Sequence, residues 1–133
     1  MIYVQGGTKS QRKYAYSMAD FVCNKFNINP DVEIYFRRLT NDSSLGGCVR
    51  IDANEYEIDL KRSMRLRDML TTLAHELVHV KQYELGQLNH CAEEEYEYWD
   101  KPSEIEAHGR ETGLFVTWAE ANNLGNKKWT QTQ

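Results

Sequence analysis

Three residues in the middle of the chain have the types and spacing of a metal-dependent active site. They are His75, Glu76 and His79, in the run Leu73-Ala74-His75-Glu76-Leu77-Val78-His79-Val80. On a helix, residues four apart lie one above the other, so His75 and His79 can turn an imidazole nitrogen each towards one ion. Glu76 lies about 100° further round. From there it cannot join as a third ligand, but it can reach a water on the metal and take its proton. A bare His-Glu-x-x-His match also arises by chance as a solvated stripe. Here the intervening and flanking residues Leu73, Ala74, Leu77, Val78 and Val80 are apolar, which places the pair on a buried helix. Buried ring nitrogens need partners, and a zinc-type ion supplies one to both. The bland alternative is a hydrogen-bonded core pair.

The elements that must hold these residues can be read from apolar periodicity. Leu66, Leu70, Leu73, Leu77 and Val80 keep helical spacing, which predicts a helix from about residue 65 to Leu85, with Gly86 as a left-handed cap. Upstream, Thr8 and Gln11 have the form of a capping box. Tyr14, Met18, Phe21, Val22 and Phe26 follow at helical spacing, so a first helix is expected over about residues 9–26, stopped by Asn27 to Pro30. Residues 32–39 alternate and are rich in Val, Ile, Tyr and Phe, which predicts a strand. After a turn-rich stretch at 40–47, residues 48–51 and 56–60 predict a hairpin in which Arg50 faces Glu57 or Asp59. Residues 87–101 break the helical period and read as an acidic loop, either solvated or forming a rim that attracts basic substrates. A last helix is expected from Pro102 to about Asn122, capped by Asp100 or Ser103. Ile105, Leu114, Phe115 and Trp118 would face its core, and Gly109 and Gly113 would permit close approach of a neighbouring helix. The tail from about residue 125 is expected to fray.

A chain of 133 residues makes one domain able to bury a core without staples. No apolar run approaches a membrane span and the N-terminal residues do not form a signal peptide, so a cytoplasmic location is expected. Cys23, Cys48 and Cys91 are odd in number and widely spaced, which predicts packed thiols rather than a disulfide framework. Residues 1–67 carry 11 basic and 8 acidic side chains and residues 68–133 carry 5 and 12. That acidic second half, which holds the motif, argues against a general nucleic-acid binder.

Two histidines do not hold zinc, and a glutamate on the next helix would complete the set. Glu104 stands 25 residues after His79, at the start of that helix. With these residues the chain resembles a small glutamate-type zincin, similar to SprT-like and ImmA/IrrE-type metallopeptidase domains and to phage-borne metallopeptidases. The likeness runs from about residue 32 to 118. It implies an α+β zincin-like fold of three main helices and a small three-stranded sheet containing the hairpin, with the active-site helix followed by a ligand-bearing one. Met-turn peptidases are excluded, because their glycine and third-ligand positions hold Gln82 and Leu85 here.

The resemblance implies Zn2+ on His75, His79 and Glu104, with Glu76 as general base in peptide-bond hydrolysis. The family register, a glutamate three before an alanine, selects Glu104 with Ala107, and Glu106 is the competitor. An Asp or Asn often stands four residues after the ligand, orienting a ligating histidine. This chain has His108, which could do the same, stabilise an oxyanion or approach the metal. Lys81 replaces a commonly apolar residue. The substrate would be a peptide in extended form along an edge strand near 46–51. A host cytoplasm fits a phage-encoded member, and no membrane or nucleic-acid partner is implied. The alternative is a zinc-binding regulatory or sensor module that cleaves little, or only one partner.

Overall fold

The computed structural model describes residues 1–39 and 45–131. The expected turn at 40–44 lies outside the described residues. Strand β1 (Ile2–Gln5) leads into helix α1 (Lys9–Lys25), followed by β2 (Asp31–Arg37), the hairpin β3 (Gly46–Asp52) and β4 (Glu55–Lys61), and helix α2 (Leu66–Glu84). The short helix α3 (His90–Glu93) and a 3-10 turn, Tyr98–Asp100, precede helix α4 (Pro102–Ala121), and a second 3-10 turn, Lys128–Thr130, follows it. The fold is α+β. Its sheet has four strands in the order β1-β2-β4-β3, one more than the three expected. The additional strand is β1, parallel to β2, so α1 is a crossover rather than a free N-terminal helix.

Period-two alternation sets the layers. On β2 the inward residues Val32, Ile34 and Phe36 are buried, as are Tyr56, Ile58 and Leu60 on β4. They pack under Ala15, Met18, Ala19 and Val22 of α1 and under Met69, Leu70, Leu73 and Leu77 of α2. The outward face is polar. There Arg37, not Arg50, makes the cross-strand ion pairs, with Asp59 at 2.6 Å and Glu57 at 3.6 Å. Arg50 lies opposite Tyr56 in the register, and its guanidinium sits over the Tyr83 ring. Among the described residues no helix is long and apolar enough to cross a membrane.

The capping box of Thr8 and Gln11 forms as expected, and Gly86 has φ +69. Both are local signals that local geometry satisfies. The start of α4 is different. Its N-cap is Lys101 with no side-chain bond, and the capping group comes from Glu93, outside the helix. Glu93 accepts from the Ser103 N–H at 3.0 Å and from its hydroxyl at 2.6 Å, and is itself buried, unlike the solvated acid expected in that loop. A negative charge at a helix N-terminus is favourable, so this contact ties the loop to α4.

Three expectations for the last quarter of the chain are corrected. Ile105 is exposed, while Ala107, Leu114, Phe115 and Trp118 supply the buried face of α4. A Cβ at Gly109 or Gly113 would meet no atom within 4 Å, so neither glycine serves helix packing. Of the tail expected to fray, residues 125–131 are described, and they pack against the domain. Trp129 packs against Tyr14 at 5.4 Å between centroids, Thr130 is buried, and its carbonyl accepts from Arg67. A tryptophan with an apolar surface beside it outweighs the tendency of a chain end to fray.

One glycine is required by packing. A Cβ on Gly46 would lie 2.9 Å from the Asp59 carbonyl oxygen and 3.0 Å from Thr72 Cγ2, so its absence lets β3 lie close against α2. Gly46→Ala should therefore lower unfolding stability by about 1–3 kcal/mol in denaturant melts. An unchanged midpoint would mean that the strand can shift at no cost.

Candidate metal centre

Helix α2 is buried along most of its length, and His75, Glu76 and His79 lie in its buried part, each less than one tenth exposed. Helix α4 crosses beside it and brings Glu104 to the two rings. The Nε2 of His75 lies 3.1 Å from Glu104 Oε1, and the Nε2 of His79 lies 3.1 Å from Glu104 Oε2. The expected set of His75, His79 and Glu104 is thus brought together. Its three ligand atoms lie within 4.8 Å of one another.

The hydrogen bonds behind these rings decide what the front can hold. Gln82 donates through Nε2 to the Ser103 carbonyl and to Glu106 Oε1, both at 2.9 Å, so its own Oε1 must be the atom that accepts from His79 Nδ1 at 2.8 Å. His75 Nδ1 donates to Glu111 Oε1 at 2.9 Å. Both Nδ1 atoms therefore carry protons, and in the neutral rings both Nε2 atoms present lone pairs to a carboxylate. Three acceptors face one another. Such an arrangement is stable only with a proton on each Nε2 or with a cation among them. The 3.1 Å separations approach the roughly 3.3 Å edge of a tetrahedron with ~2.0 Å bonds, as zinc makes to nitrogen and oxygen. The donor set fits a zinc-type ion.

Glu106 is accounted for elsewhere. It accepts from Lys81, Gln82 and Arg110. Burial raises its pKa, but those bonds outweigh burial and bring it down to about 2. Lys81, buried, is the counter-charge of this pair, which locks α4 against α2. Because Glu106 also fixes Gln82, it acts on His79 at one remove.

His108 lies against the site with its ring centroid 4.4 Å from that of His75. It does not orient a ligating histidine. Glu111 does, and the same Glu111 oxygen also accepts from His108 Nδ1 at 3.0 Å. His108 Nε2 is 3.1 Å from the Tyr98 hydroxyl and 3.9 Å from Glu104. His75, His108 and Glu111 form a second group with metal-compatible spacing. An ion there would have to displace the proton on His75 Nδ1, and the two groups could be filled together only through a doubly deprotonated ring.

Sequence reasoning missed Glu111 and the part played by Gln82. Both were within reach of the helical repeat, since Glu111 stands seven residues after Glu104 and Gln82 seven after His75, on the same helix faces.

The Glu76 carboxylate makes no hydrogen bond among the described residues. Burial raises its carboxyl pKa, the two imidazoles lower it, and Glu104 and Glu111 raise it again, leaving it above the usual carboxylate range. It lines two neighbouring hollows. One, of about 280 Å³, is lined by Gly46, Gly47, Cys48, His79 and Tyr83 among others. The second, of about 350 Å³, is lined by Leu45, Thr72, His108 and Glu111. Cys23, Cys48 and Cys91 are all free thiols. Burial, and then the charge of Glu76, push the Cys48 thiol far up, so it is neither a ready nucleophile nor a ready ligand.

No family model matches this chain, and no curated protein or solved structure matches it either.

Two predictions follow from the donor geometry. Glu111→Gln should weaken zinc binding by ~10–100-fold, as loss of an orienting carboxylate does. Glu104→Gln should weaken it more than Glu106→Gln in competition titrations with a chelator, and the opposite order would move the ligand to Glu106. Without metal, the rings must be protonated. Burial lowers the His75 pKa, but the bonds to Glu104 and Glu111 more than offset this and raise it to about 9. A raised histidine pKa stabilises the fold fully below the unfolded value of about 6.5, and that contribution is lost as pH rises to about 9. The melting temperature of metal-free protein should therefore fall over this window, and zinc should abolish the fall. A flat metal-free profile would contradict the acceptor cluster.

Proposed function

We propose that the chain is a zinc-dependent peptidase with a zincin-like arrangement, hydrolysing peptide bonds at the cleft beside α2. What carries the reading is one juxtaposition. Glu76, a buried carboxylate with no hydrogen bond among the described residues, faces the same hollow as a three-atom donor set suited to a four-coordinate ion. Two imidazoles and one carboxylate leave a fourth position, which marks a catalytic rather than a closed structural set. Zinc held there would polarise a carbonyl and bring the pKa of a water to about 7.

The chain's own residues supply the rest. Glu76, with its raised pKa, is suited to take a proton from water near neutral pH and deliver it to the leaving amine. His75 and His79 keep their Nε2 lone pairs forward because Glu111 and Gln82 hold the protons behind. Substrate binding falls to β3, one of the two edge strands of the sheet, which lines the hollow through Gly46, Gly47 and Cys48. The Leu45 carbonyl accepts from the Lys61 N–H, so in an antiparallel ladder Leu45, Gly47 and Val49 turn their backbone groups towards β4. Cys48 and Arg50 turn theirs outwards. An extended peptide would add there by main-chain bonds, with little demand on its sequence.

Replacing Glu76 by glutamine preserves shape but removes the proton acceptor. Glu76→Gln should keep its zinc and its melting temperature and lose hydrolysis of an internally quenched peptide by ~10²–10⁴-fold. Full zinc occupancy with no cleavage of any unfolded protein by wild type would instead favour a zinc-binding regulatory module.

A further inference from the structure

Four residues line both hollows: Gly46, His75, Glu76 and Tyr98. A peptide lying across both hollows would have these four beside it. The first belongs to the edge strand, the second is a ligand and the third is the base. Tyr98 has no place in the motif. It enters the cleft from the 3-10 turn before α4, and its hydroxyl lies 2.9 Å from Glu104 Oε1 and 3.1 Å from His108 Nε2.

The donor count at this hydroxyl is short by one. Glu111 accepts the Nδ1 protons of both His75 and His108, so in the neutral His108 ring Nε2 is a lone pair. The phenol thus has one proton and two acceptors. His108 cannot then supply a proton of its own to a developing oxyanion. The phenol can turn away from Glu104 when a cation among His75, His79 and Glu104 takes up the charge of that carboxylate.

From this geometry we propose that Tyr98 is a further catalytic residue, donating its hydroxyl proton in a hydrogen bond to the carbonyl oxygen of the scissile peptide as that oxygen gains charge. His108, whose ring meets the Tyr98 ring edge-on at 5.9 Å between centroids, and Glu111, which holds His108 Nδ1, are positioning residues beside it. The Glu111 carboxylate also holds His75, so one carboxylate fixes both a ligand and the donor. No covalent bond to Tyr98 forms and its proton is not transferred. The bond strengthens as the carbonyl becomes tetrahedral, which is the condition for raising turnover rather than substrate affinity. Trp99 packs against His108 at a tilt of 36°, with centroids 4.7 Å apart, and steadies the ring in this position.

The inference rests on the peptidase reading, and one variant separates the two. Tyr98→Phe keeps the ring that walls the cleft and removes only the hydroxyl. In the zinc-loaded protein kcat for an internally quenched peptide should fall by ~10²-fold, with KM changed by less than about threefold. Affinity for a phosphonamidate peptide, which mimics the tetrahedral carbonyl, should fall by a similar factor in calorimetry. Binding of the cleaved product peptide, zinc content and melting temperature should stay as in wild type. His108→Ala should show a smaller fall with the same pattern. If Tyr98→Phe turns over as fast as wild type and binds the phosphonamidate equally well, the inference is overturned and the peptidase reading stands. If the variant instead loses zinc, Tyr98 serves the ligand Glu104 alone, and the inference is again overturned. A wild type that neither cleaves peptide nor binds the phosphonamidate overturns both.

Discussion

Three acceptors pointing at one another cannot stand together without a positive charge among them, and much of this structure is organised to bring them there. The Nε2 atoms of His75 and His79 and the carboxylate of Glu104 converge at 3.1 Å. Each would be better solvated apart, so the convergence has to be enforced by packing and by the hydrogen bonds behind it. On α2 the enforcing residues are Leu70, Leu73, Leu77 and Val80, all fully buried. On α4 they are Ala107, Leu114, Phe115 and Trp118. A metal ion would turn the electrostatic cost of this convergence into a gain, which is the usual coupling of metal binding to folding.

The polar groups around the centre act as locks on α4. Glu93 caps its N-terminus from a preceding element, and the Lys81–Glu106 pair joins its second turn to α2. Gln82 bridges both helices, bonding the Ser103 carbonyl, Glu106 and His79. Among the described residues no side-chain nitrogen or oxygen sealed off from solvent lacks a partner, the Glu76 carboxylate being open to the hollow it lines. Buried polar networks are costly when incomplete and specific when complete. Here completeness fixes the angle at which Glu104 meets the rings.

Much of this arrangement was legible in the sequence, because helical and alternating periodicity follow directly from burial. Helices α1, α2 and α4, the strand β2 and the hairpin all come from such patterns, whereas His75, Glu76 and His79 come from their spacing on one helix and Glu104 from the resemblance to glutamate-type zincins. What escaped depends on contacts between distant segments. Four residues of β1 carry too little periodicity to be called a strand, and only their pairing with β2 makes them one. Ile105 is apolar yet exposed, because the face of α4 that meets α2 is set by Ala107, Leu114 and Trp118. Glu93 looked like one more solvated acid, and its burial depends on where α4 begins. Tyr98 lay in the same acidic stretch, with no periodic signal to mark it. Its place beside Glu104, in the lining of both hollows, depends on where α4 begins.

The central claim is that a metal ion belongs among His75, His79 and Glu104, and zinc K-edge X-ray absorption on the protein loaded with one equivalent tests it most directly. The account predicts a four-coordinate shell of two imidazole nitrogens and two oxygens at about 2.0 Å, with no sulfur. That shell should lose one oxygen scatterer, or the metal itself, in Glu104→Ala. Failure to retain zinc, a sulfur scatterer near 2.3 Å, or a third imidazole would contradict it.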